Sequence, residues 1–391
     1  MFSGLLRKRM ILQEQDKFDQ TSIIVEPFVQ ENGEDFYNPM RGETMKSVDP
    51  LSTPLRLLKE GLRGVDQLAD NQRQSLLRAG WLIEDSGEDL ARRFRLKIAT
   101  VEASSVCNQA CYFCPVSTNR RDAESMSLEF YERVVEQVAQ FRETLDGVFM
   151  INYNEPTVDP RFLDQVKILT KHGLKAAVNT NGSGLMPSVV DEVMKLGGLG
   201  YLSVNLSTID KENYIRDRGR DHLDKVLRNL DYVKNLPLAA QMDIAVLGEE
   251  DEEHERQFDG ISKRFEGSHF TVKKFPIMNR GGWIEKGNRP PEAIRELGGC
   301  ENLGSRPIEH VHINPKGECI MCCQDYGNDY VIGDLRESDL ADILSGDKAA
   351  TIRRQVYGME EAPDDFLCRR CTFALCKSRT GNIRESVSAN A

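Results

Sequence analysis

Three cysteines lie within eight residues of one another, at Cys107, Cys111 and Cys114. Thiolates at this spacing can bind one face of a [4Fe–4S] cubane, which normally takes four cysteines, so one iron would stay open to another ligand. A structural zinc site needs four closed ligands, and a disulfide cannot use three thiols. Three unrelated buried thiols are the alternative, but close fixed spacing is typical of metal ligation. The segment therefore predicts an iron–sulfur cluster.

The other seven cysteines lie towards the C-terminal end: Cys300, Cys319, Cys322, Cys323, Cys368, Cys371 and Cys376. Ten cysteines would suggest disulfides in a secreted protein, but residues Met1–Met10 contain no apolar run long enough for a signal peptide. No stretch approaches the ~20 apolar residues of a membrane span. In a reducing cytosol clustered cysteines are better explained as metal ligands. We therefore expect a cytoplasmic protein with two metal-binding regions.

The charge balance argues against a nucleic-acid partner. The 391 residues include 51 basic and 62 acidic side chains, which gives a net charge of −11. Nucleic-acid binding usually requires a basic stripe that faces the phosphates. With 40% hydrophobic and 29% charged residues, the composition is typical of a soluble globular protein large enough for two or three domains. We expect neither nucleic acid nor a membrane among its partners.

Alternating strand and helix patterns predict an α/β fold over residues 95–278. Short apolar runs rich in β-branched and aromatic residues predict six buried parallel strands, at Leu96–Glu102, Gly147–Tyr153, Leu174–Asn179, Tyr201–Leu206, Met242–Leu247 and Phe270–Phe275. Amphipathic segments between them predict crossover helices. Together they form a partial (β/α)6 barrel, whose functional residues lie at the C-terminal strand ends. Cys107 follows the first strand at that position.

Two further regions flank the barrel. Residues 1–94 are expected to form a mostly helical extension, with short helices at Pro54–Leu62, Val65–Ala69 and Asn71–Ala79. Residues 279–391 are expected to form a small Cys-rich domain that follows a linker rich in Gly, Arg and Pro, Asn279–Gly299.

The spacing C-x3-C-x2-C, with the aromatic Phe113 before the last cysteine, resembles the signature of the radical SAM superfamily. The resemblance covers roughly residues 95 to 275. In that family the open iron binds the amino and carboxylate groups of S-adenosylmethionine (SAM), and the reduced cluster cleaves SAM to a 5′-deoxyadenosyl radical that abstracts hydrogen from a substrate. The resemblance implies an enzyme that needs a flavodoxin or ferredoxin-type reductant and acts on a small molecule or a peptide. The extension at residues 1–94 half-resembles the winged-helix modules that hold a precursor's leader in some peptide-modifying members, and a plain helical cap is the alternative.

Further residues match the family's SAM-binding positions. The string Tyr153-Asn154-Glu155-Pro156 stands where the family usually has Gly-Glu-Pro, whose backbone and carboxylate hold the methionyl ammonium. The resemblance therefore assigns Asn154 and Glu155 to SAM, with Glu155 making a charge-assisted hydrogen bond. Asn154 replaces the usual glycine, and asparagine tolerates a left-handed backbone better than most residues.

The ribose and adenine of SAM have weaker candidates. The stretch Val204–Gly219 is similar to the family's ribose-binding strand and the helix after it, which implies that Asn205 and Ser207 contact the ribose. Ordinary polar caps at a strand end are the alternative. Phe113 and Val246 are candidates for the adenine, and core packing is the alternative for both.

The C-terminal cysteines resemble the SPASM/Twitch extension of many radical SAM enzymes, over about 80 residues. In that family a hairpin with a Gly-x-x-x-x-Cys pattern, an upstream cysteine and a downstream C-x2-C pair hold an auxiliary [4Fe–4S] cluster. The resemblance implies four ligands, with Cys319 as an alternative to Cys322: Cys300, Cys322, Cys368 and Cys371. A zinc knuckle of Cys368, Cys371 and Cys376 is the non-redox alternative.

Three cysteines are not part of this set of four ligands: Cys319, Cys323 and Cys376. One of them is a candidate thiol for returning a hydrogen atom to a substrate radical, and small buried hydrophobes are the alternative. A second auxiliary cluster would require up to eight cysteines in this region, which has seven. The sequence thus predicts a radical SAM oxidoreductase or epimerase with one auxiliary cluster. A peptide-maturing member of the same family and a non-catalytic iron–sulfur or zinc scaffold are the alternatives.

Overall fold

The computed structural model describes residues 22–287 and 292–377. It divides into two compact units, with the boundary between Leu90 and Ala91, close to the predicted boundary at residue 94. Residues Met1–Met10 and part of the predicted linker lie outside the described residues. None of the helices described is both long and apolar enough to cross a membrane.

The first unit contains helices and strands in similar amounts. Strand β1 (Ser22–Val25) pairs antiparallel with β5 (Leu82–Asp85), and an antiparallel meander consists of β2 (Gln30–Asn32), β3 (Asp35–Asn38) and β4 (Glu43–Met45). The helices are α1 (Ser52–Lys59), a 3-10 turn (Val65–Gln67) and α2 (Asp70–Arg78).

This arrangement corrects the prediction of a mostly helical extension. The three short helices are present, but the polar segment before residue 50 forms strands that the sequence did not reveal. These strands have only three or four residues each, which is too short for the alternating pattern that identifies a strand. The buried side chains of Phe36, Leu55 and Leu76 form the centre of a separate core in this unit.

The second unit contains the predicted partial barrel. Its six parallel strands are neighbours in chain order: β6 (Ile98–Val101), β7 (Gly147–Phe149), β8 (Ala176–Thr180), β9 (Leu199–Asn205), β10 (Ala239–Gly248) and β11 (Phe270–Pro276). The crossover helices are α3 (Leu128–Ala139), α4 (Phe162–Lys171), α5 (Pro187–Lys195), α6 (Lys211–Arg218), α7 (Leu223–Val233) and α8 (Glu252–Arg264). The predicted α/β fold is confirmed.

The helices form where apolar spacing and caps direct them. In α3 the Ser127 hydroxyl accepts a hydrogen bond from the Phe130 amide at 3.1 Å, which satisfies one of the free N–H groups of the first turn. The same helix buries Val134, Val135 and Val138 against the sheet, as their helical spacing predicts. The helix ends at Ala139.

The C-terminal region extends the barrel sheet. Strand β13 (His310–Ile313) pairs parallel with β6, and β14 (Glu318–Ile320) and β15 (Val331–Asp334) continue antiparallel from it. The remaining elements are β12 (Leu297–Cys300), α9 (Arg306–Glu309), α10 (Leu340–Ser345), α11 (Asp347–Val356) and β16 (Ala374–Cys376). Because β13 lies beside the strand that precedes Cys107, the two cysteine-rich regions approach each other at one edge of the barrel.

Candidate active site

The loop that carries the first three cysteines is fixed to the end of helix α6. The Ala110 amide donates to the Arg218 carbonyl at 3.0 Å, and the Tyr112 amide donates to the Asp217 carbonyl at 3.1 Å. These bonds satisfy two of the carbonyls that a helix C-terminus leaves free. Gly219 ends α6 with φ of 64°, and a side chain there would meet Ala110 at 3.4 Å. That distance is an ordinary van der Waals contact, so it is the left-handed backbone at this position that favours glycine.

A cavity of about 320 Å³ lies beside this loop. Its wall includes the thiol-bearing residues Cys107, Cys111 and Cys114 together with most of the predicted SAM contacts: Phe113, Asn154, Glu155 and Asn205. A larger cavity of about 850 Å³ borders Tyr112 and Lys286, but no cysteine lines it among the described residues. Because the three cysteines line the smaller cavity, that cavity is the candidate active site.

Glu155 is a buried carboxylate without a cationic partner. Its Oε1 accepts hydrogen bonds from the hydroxyls of Thr157 and Thr180, both at 2.6 Å, and its Oε2 accepts from the Asn181 amide at 2.6 Å. Burial raises the pKa of Glu155, and these hydrogen bonds act in the opposite direction. In the part of the chain that the structure describes, no Lys or Arg pairs with this carboxylate. An ammonium group would complete the site, because a buried charge is costly unless it is paired.

Asn154 contributes differently from the sequence expectation. Its backbone φ is not positive, so the tolerance of asparagine for a left-handed backbone is not used. Instead the Asn154 side chain accepts a hydrogen bond from the Asn152 amide at 2.9 Å. The side chain thereby holds the turn that precedes Glu155.

Arg218 organises the ribose side of the cavity. Its buried guanidinium donates to the Asn205 Oδ1 at 2.7 Å and to the Ser207 hydroxyl at 3.2 Å, and it approaches the Cys111 sulfur at 3.7 Å. It also lies 4.9 Å from the centre of the Phe113 ring, a cation–π distance. The sequence showed Arg218 only as the end of a motif, and its role as a link between the thiol loop and β9 was missed.

Two predicted SAM contacts do not reach the cavity. Ser207 is buried between Arg218 and the Leu247 amide, which donates to its hydroxyl at 3.2 Å. Val246 is fully buried in the main hydrophobic core. Neither residue lines this cavity, although Ser207 lines the larger one of about 850 Å³. The contacts of Ser207 with the ribose and of Val246 with the adenine stay predictions.

Several buried polar atoms belong to the cavity wall and have no hydrogen-bond partner among the described residues. They are Asn152 Oδ1, Asn179 Oδ1, Arg218 Nε, Arg306 Nε and His312 Nδ1. Buried polar groups are nearly always hydrogen-bonded in a folded protein. Their concentration around one cavity fits a polar cofactor and substrate that supply the missing partners.

Four C-terminal thiols surround a second, small cavity. Cys300, Cys322, Cys368 and Cys371 line it, and apolar residues enclose it: Pro307, Met321, Val356, Leu367 and Phe373. Burial raises the pKa of Cys371 to about 12 and raises the pKa of Cys300 as well. Free thiols in this place would stay protonated, whereas metal binding displaces the proton and uses the thiolate. The donor set fits a fully ligated iron–sulfur cluster.

The three spare cysteines occupy three different environments. Cys319 is fully buried in the main core, Cys376 is exposed on β16, and Cys323 lines the 320 Å³ cavity. Cys319 therefore does not replace Cys322, and Cys376 does not join Cys368 and Cys371 around their cavity. None of the ten cysteines, all of which the structure describes, forms a disulfide. In the described residues no group of three or more His, Cys, Asp or Glu side chains is arranged to hold a single metal ion.

Residues 101–258 match the family model of the radical SAM superfamily, and residues 300–372 match that of the SPASM iron–sulfur cluster-binding domain. The chain belongs to the radical SAM superfamily. Its C-terminal region is a SPASM domain, as the cysteine pattern predicted. The cofactors of this radical SAM protein are SAM and [4Fe–4S] clusters, with an auxiliary cluster in the SPASM domain, so the cofactor prediction is confirmed. Membership of the family indicates an enzyme.

Two curated relatives have different activities. The chain is 24% identical over 186 residues to the mycofactocin maturase MftC of Mycolicibacterium smegmatis. This alignment covers 46% of this chain and 45% of the maturase. It is 21% identical over 283 residues to an S-adenosyl-L-methionine-dependent 2-deoxy-scyllo-inosamine dehydrogenase of Niallia circulans. This alignment covers 69% of this chain and 90% of the dehydrogenase. The alignments span about half the length of the mycofactocin maturases.

The fold is similar to that of a solved radical SAM structure, SuiB of Streptococcus suis bound to the precursor peptide SuiA. The TM-score is 0.53 at 14% identity, covering 85% of this chain and 90% of that one. At this identity the similarity concerns the fold alone.

Glu155→Gln should weaken SAM binding by about tenfold or more, because a neutral amide loses the charge-assisted hydrogen bond to an ammonium group. Equilibrium binding of SAM to the anaerobically reconstituted protein measures the effect. Glu129→Gln, at an exposed position on α3, is the matched control. Unchanged SAM affinity in the Glu155→Gln variant would remove Glu155 from the binding site.

Proposed function

We propose that this chain is a radical SAM enzyme that removes hydrogen from a substrate held in the 320 Å³ cavity and releases the substrate oxidised. One observation carries the proposal. The cavity joins the three thiols of the first motif, the unpaired carboxylate of Glu155 and a wall supplied by the SPASM domain. Cofactor and substrate would thereby share one cavity at the C-terminal ends of the barrel strands, where such folds place their chemistry.

Residue roles follow from the positions around this cavity. Cys107, Cys111 and Cys114 hold the radical SAM cluster, Glu155 receives the methionyl ammonium, and Asn205 contacts the ribose. Phe113 lies beside the Arg218 guanidinium and contacts the adenine. When bound, the cluster and SAM supply a 5′-deoxyadenosyl radical, and a flavodoxin or ferredoxin supplies the electron. The absence of disulfides among the ten described cysteines is consistent with a reducing cytoplasm.

The route for the second electron supports oxidation. Cys322 faces the four-thiol cavity and its neighbour Cys323 faces the substrate cavity, while Arg306 lines both. The Tyr153 hydroxyl, just beyond the end of β7, donates to the Cys323 carbonyl at 2.5 Å and fixes this shared wall to the barrel. A substrate that has given up a hydrogen atom becomes oxidised when it also loses a proton and one electron. Cys300, Cys322, Cys368 and Cys371 would hold an auxiliary cluster, whose chemistry would be to accept that electron. The curated dehydrogenase, whose length the chain covers almost completely, is consistent with this outcome.

The test is a product analysis in deuterium oxide. The reduced, reconstituted protein is incubated with SAM and a fractionated small-molecule and peptide extract, and mass spectrometry follows SAM-dependent changes. Oxidation predicts a product that has lost a pair of hydrogens and gained no deuterium. A product of unchanged composition that carries one solvent deuterium would contradict oxidation.

Epimerisation is the second candidate, because Cys323 lines the substrate cavity and could return a hydrogen atom. Its thiol hydrogen exchanges with solvent, so this reaction gives a deuterium-labelled product. Epimerisation predicts that Cys323→Ala abolishes this product while SAM cleavage continues, and that Cys376→Ala, at an exposed position, has no effect. A labelled product from the Cys323→Ala variant would exclude Cys323 as the donor.

A peptide substrate is the third candidate. The first unit has its own core around Phe36, Leu55 and Leu76, and its meander followed by short helices is consistent with a module that holds a leader peptide. The curated relatives named mycofactocin maturases are consistent with a maturation reaction of this kind. Fluorescence anisotropy of the full chain with a short peptide encoded beside its gene tests this candidate. Binding that survives a large excess of unlabelled scrambled peptide would support it, and complete loss under that competition would contradict it.

A further inference from the structure

We propose that Arg280 binds an anionic group of the substrate, a carboxylate or a phosphate, inside the 320 Å³ cavity. The proposal deepens the proposed function and rests on it, because it takes this cavity as the place where the substrate reacts. The sequence placed Arg280 in a linker, Asn279–Gly299. The structure places it on the wall of the cavity, together with Cys114 and Cys323.

The Arg280 guanidinium has no hydrogen bond and no ion pair with any residue that the structure describes. Its backbone is nevertheless firmly held. Arg280 has a positive φ of 55°, an unusual conformation for a residue with a side chain, which tends to persist at functional sites. The turn is closed by hydrogen bonds from the Gly282 and Ile284 amides to the Asn279 carbonyl at 3.1 and 3.2 Å. Gly281 packs so closely on Leu367 that an added side chain would meet it at 2.5 Å.

The other two arginines of the cavity already have partners. Arg218 donates to Asn205 and approaches the Cys111 sulfur. Arg306 donates from Nη1 to His310 Nδ1 at 3.1 Å and to His312 Nε2 at 3.2 Å. Among the arginines that line this wall in the described chain, Arg280 is therefore the one whose guanidinium donors are all left for a ligand.

The SPASM side of the cavity that Arg280 lines offers further donors, from His312 and Arg306. His312 is buried and neutral, since burial lowers its pKa to about 4. Because its Nε2 accepts from Arg306, the hydrogen of the neutral ring lies on Nδ1, and that atom has no partner in the described chain. The Arg306 Nε–H is also without one. Glu155, on the SAM side, is the only carboxylate among the described residues that line the cavity.

This arrangement selects for negative charge. A guanidinium presents a planar fork of donors that matches a carboxylate or phosphate, and the hydrogen bonds are strong where water is excluded. A neutral substrate would cover the Arg280 charge without pairing it, which costs free energy. Two other uses of the charge are conceivable: compensation of the thiolates at Cys114 and Cys323, and binding of the carboxylate of SAM.

The experiment titrates the reconstituted full chain with small anions, in the absence and presence of SAM. Isothermal titration uses inorganic phosphate and acetate as probes, with neutral acetamide as the control ligand. The variants are Arg280→Gln, Arg280→Lys, which keeps the charge, and Arg120→Gln, at an exposed arginine outside the cavity. Iron content, the electron paramagnetic resonance spectrum of the reduced clusters and SAM affinity are measured on each protein.

We expect the wild-type protein to bind phosphate or acetate but not acetamide. Arg280→Gln should weaken that binding by about tenfold or more, Arg280→Lys should weaken it less, and Arg120→Gln should not change it. A preference for phosphate over acetate, or the reverse, identifies which anionic group the substrate carries.

Three results would overturn the proposal: no anion binding by the wild-type protein, equal binding by Arg280→Gln, or a loss confined to SAM affinity or to the cluster spectra. The last result would assign Arg280 to SAM or to charge compensation. The titration needs no SAM cleavage, so an absence of 5′-deoxyadenosine would contradict the proposed function separately from this result.

Discussion

Cys114→Ala should abolish 5′-deoxyadenosine release from the reduced protein and lower the iron content by about four atoms per chain. Cys114 lines the cavity with Cys107 and Cys111, and two thiolates are too few to hold a cubane with one open iron. Burial raises the pKa of Cys107 to about 12 and also raises the pKa of Cys114. Without metal, the thiols of Cys107 and Cys114 therefore stay protonated at neutral pH, and a bound metal would hold them as thiolates.

The control for this variant is Cys376→Ala, because Cys376 is exposed and lines neither cysteine cavity. It should keep the full iron content and the full rate of SAM cleavage. Iron and sulfide analysis and mass spectrometry of 5′-deoxyadenosine provide the two measurements. Continued SAM cleavage by the Cys114→Ala variant would show that the first motif does not hold the reactive cluster.

The double variant Cys368→Ala, Cys371→Ala should remove about four irons from the other site and reduce substrate oxidation by about a hundredfold or more. These thiols form half of the thiol set around the enclosed cavity that also includes Cys300 and Cys322, so the auxiliary cluster cannot form without them. SAM cleavage should continue, because the three thiols of the first motif are unchanged. The measured quantity is the ratio of product to 5′-deoxyadenosine, which should fall steeply.

A different outcome is expected if the C-terminal cysteines only stabilise the fold. The double variant would then lose product and 5′-deoxyadenosine together, because the shared wall at Cys323 and Arg306 would be disordered. Circular dichroism and the electron paramagnetic resonance signal of the remaining cluster distinguish the two cases. An unchanged ratio of product to 5′-deoxyadenosine would contradict a role for the auxiliary cluster in accepting the electron.

The sequence was sufficient to predict the elements whose signals are local. The spacing of Cys107, Cys111 and Cys114 depends on one short loop, and the six barrel strands have apolar runs that can be recognised individually. The sequence left open whether Cys322 or Cys319 is a ligand of the auxiliary cluster. In the structure Cys319 lies on β14 and points into the main core, whereas Cys322, just after that strand, reaches the cavity of the other three thiols.

Long-range contacts account for what the sequence did not reveal. The parallel pairing of β13 with β6 joins residues that lie far apart in the chain, such as Val311 and Ala99, and no local pattern indicates it. Arg280 reaches the cavity because a turn with positive φ directs it there, and the Gly- and Pro-rich composition around it is equally typical of a linker. A match to a family position does not show where a side chain points, so the SAM contacts of Ser207 and Val246 stay predictions.

The most direct test of radical SAM activity is an iron count followed by a SAM cleavage assay on the wild-type protein. After anaerobic reconstitution, dithionite and SAM are added and 5′-deoxyadenosine is measured by mass spectrometry. We expect about eight irons per chain and slow release of 5′-deoxyadenosine without substrate. A fully reconstituted protein that neither binds SAM nor releases 5′-deoxyadenosine would contradict a radical SAM activity and would favour a non-catalytic iron–sulfur scaffold.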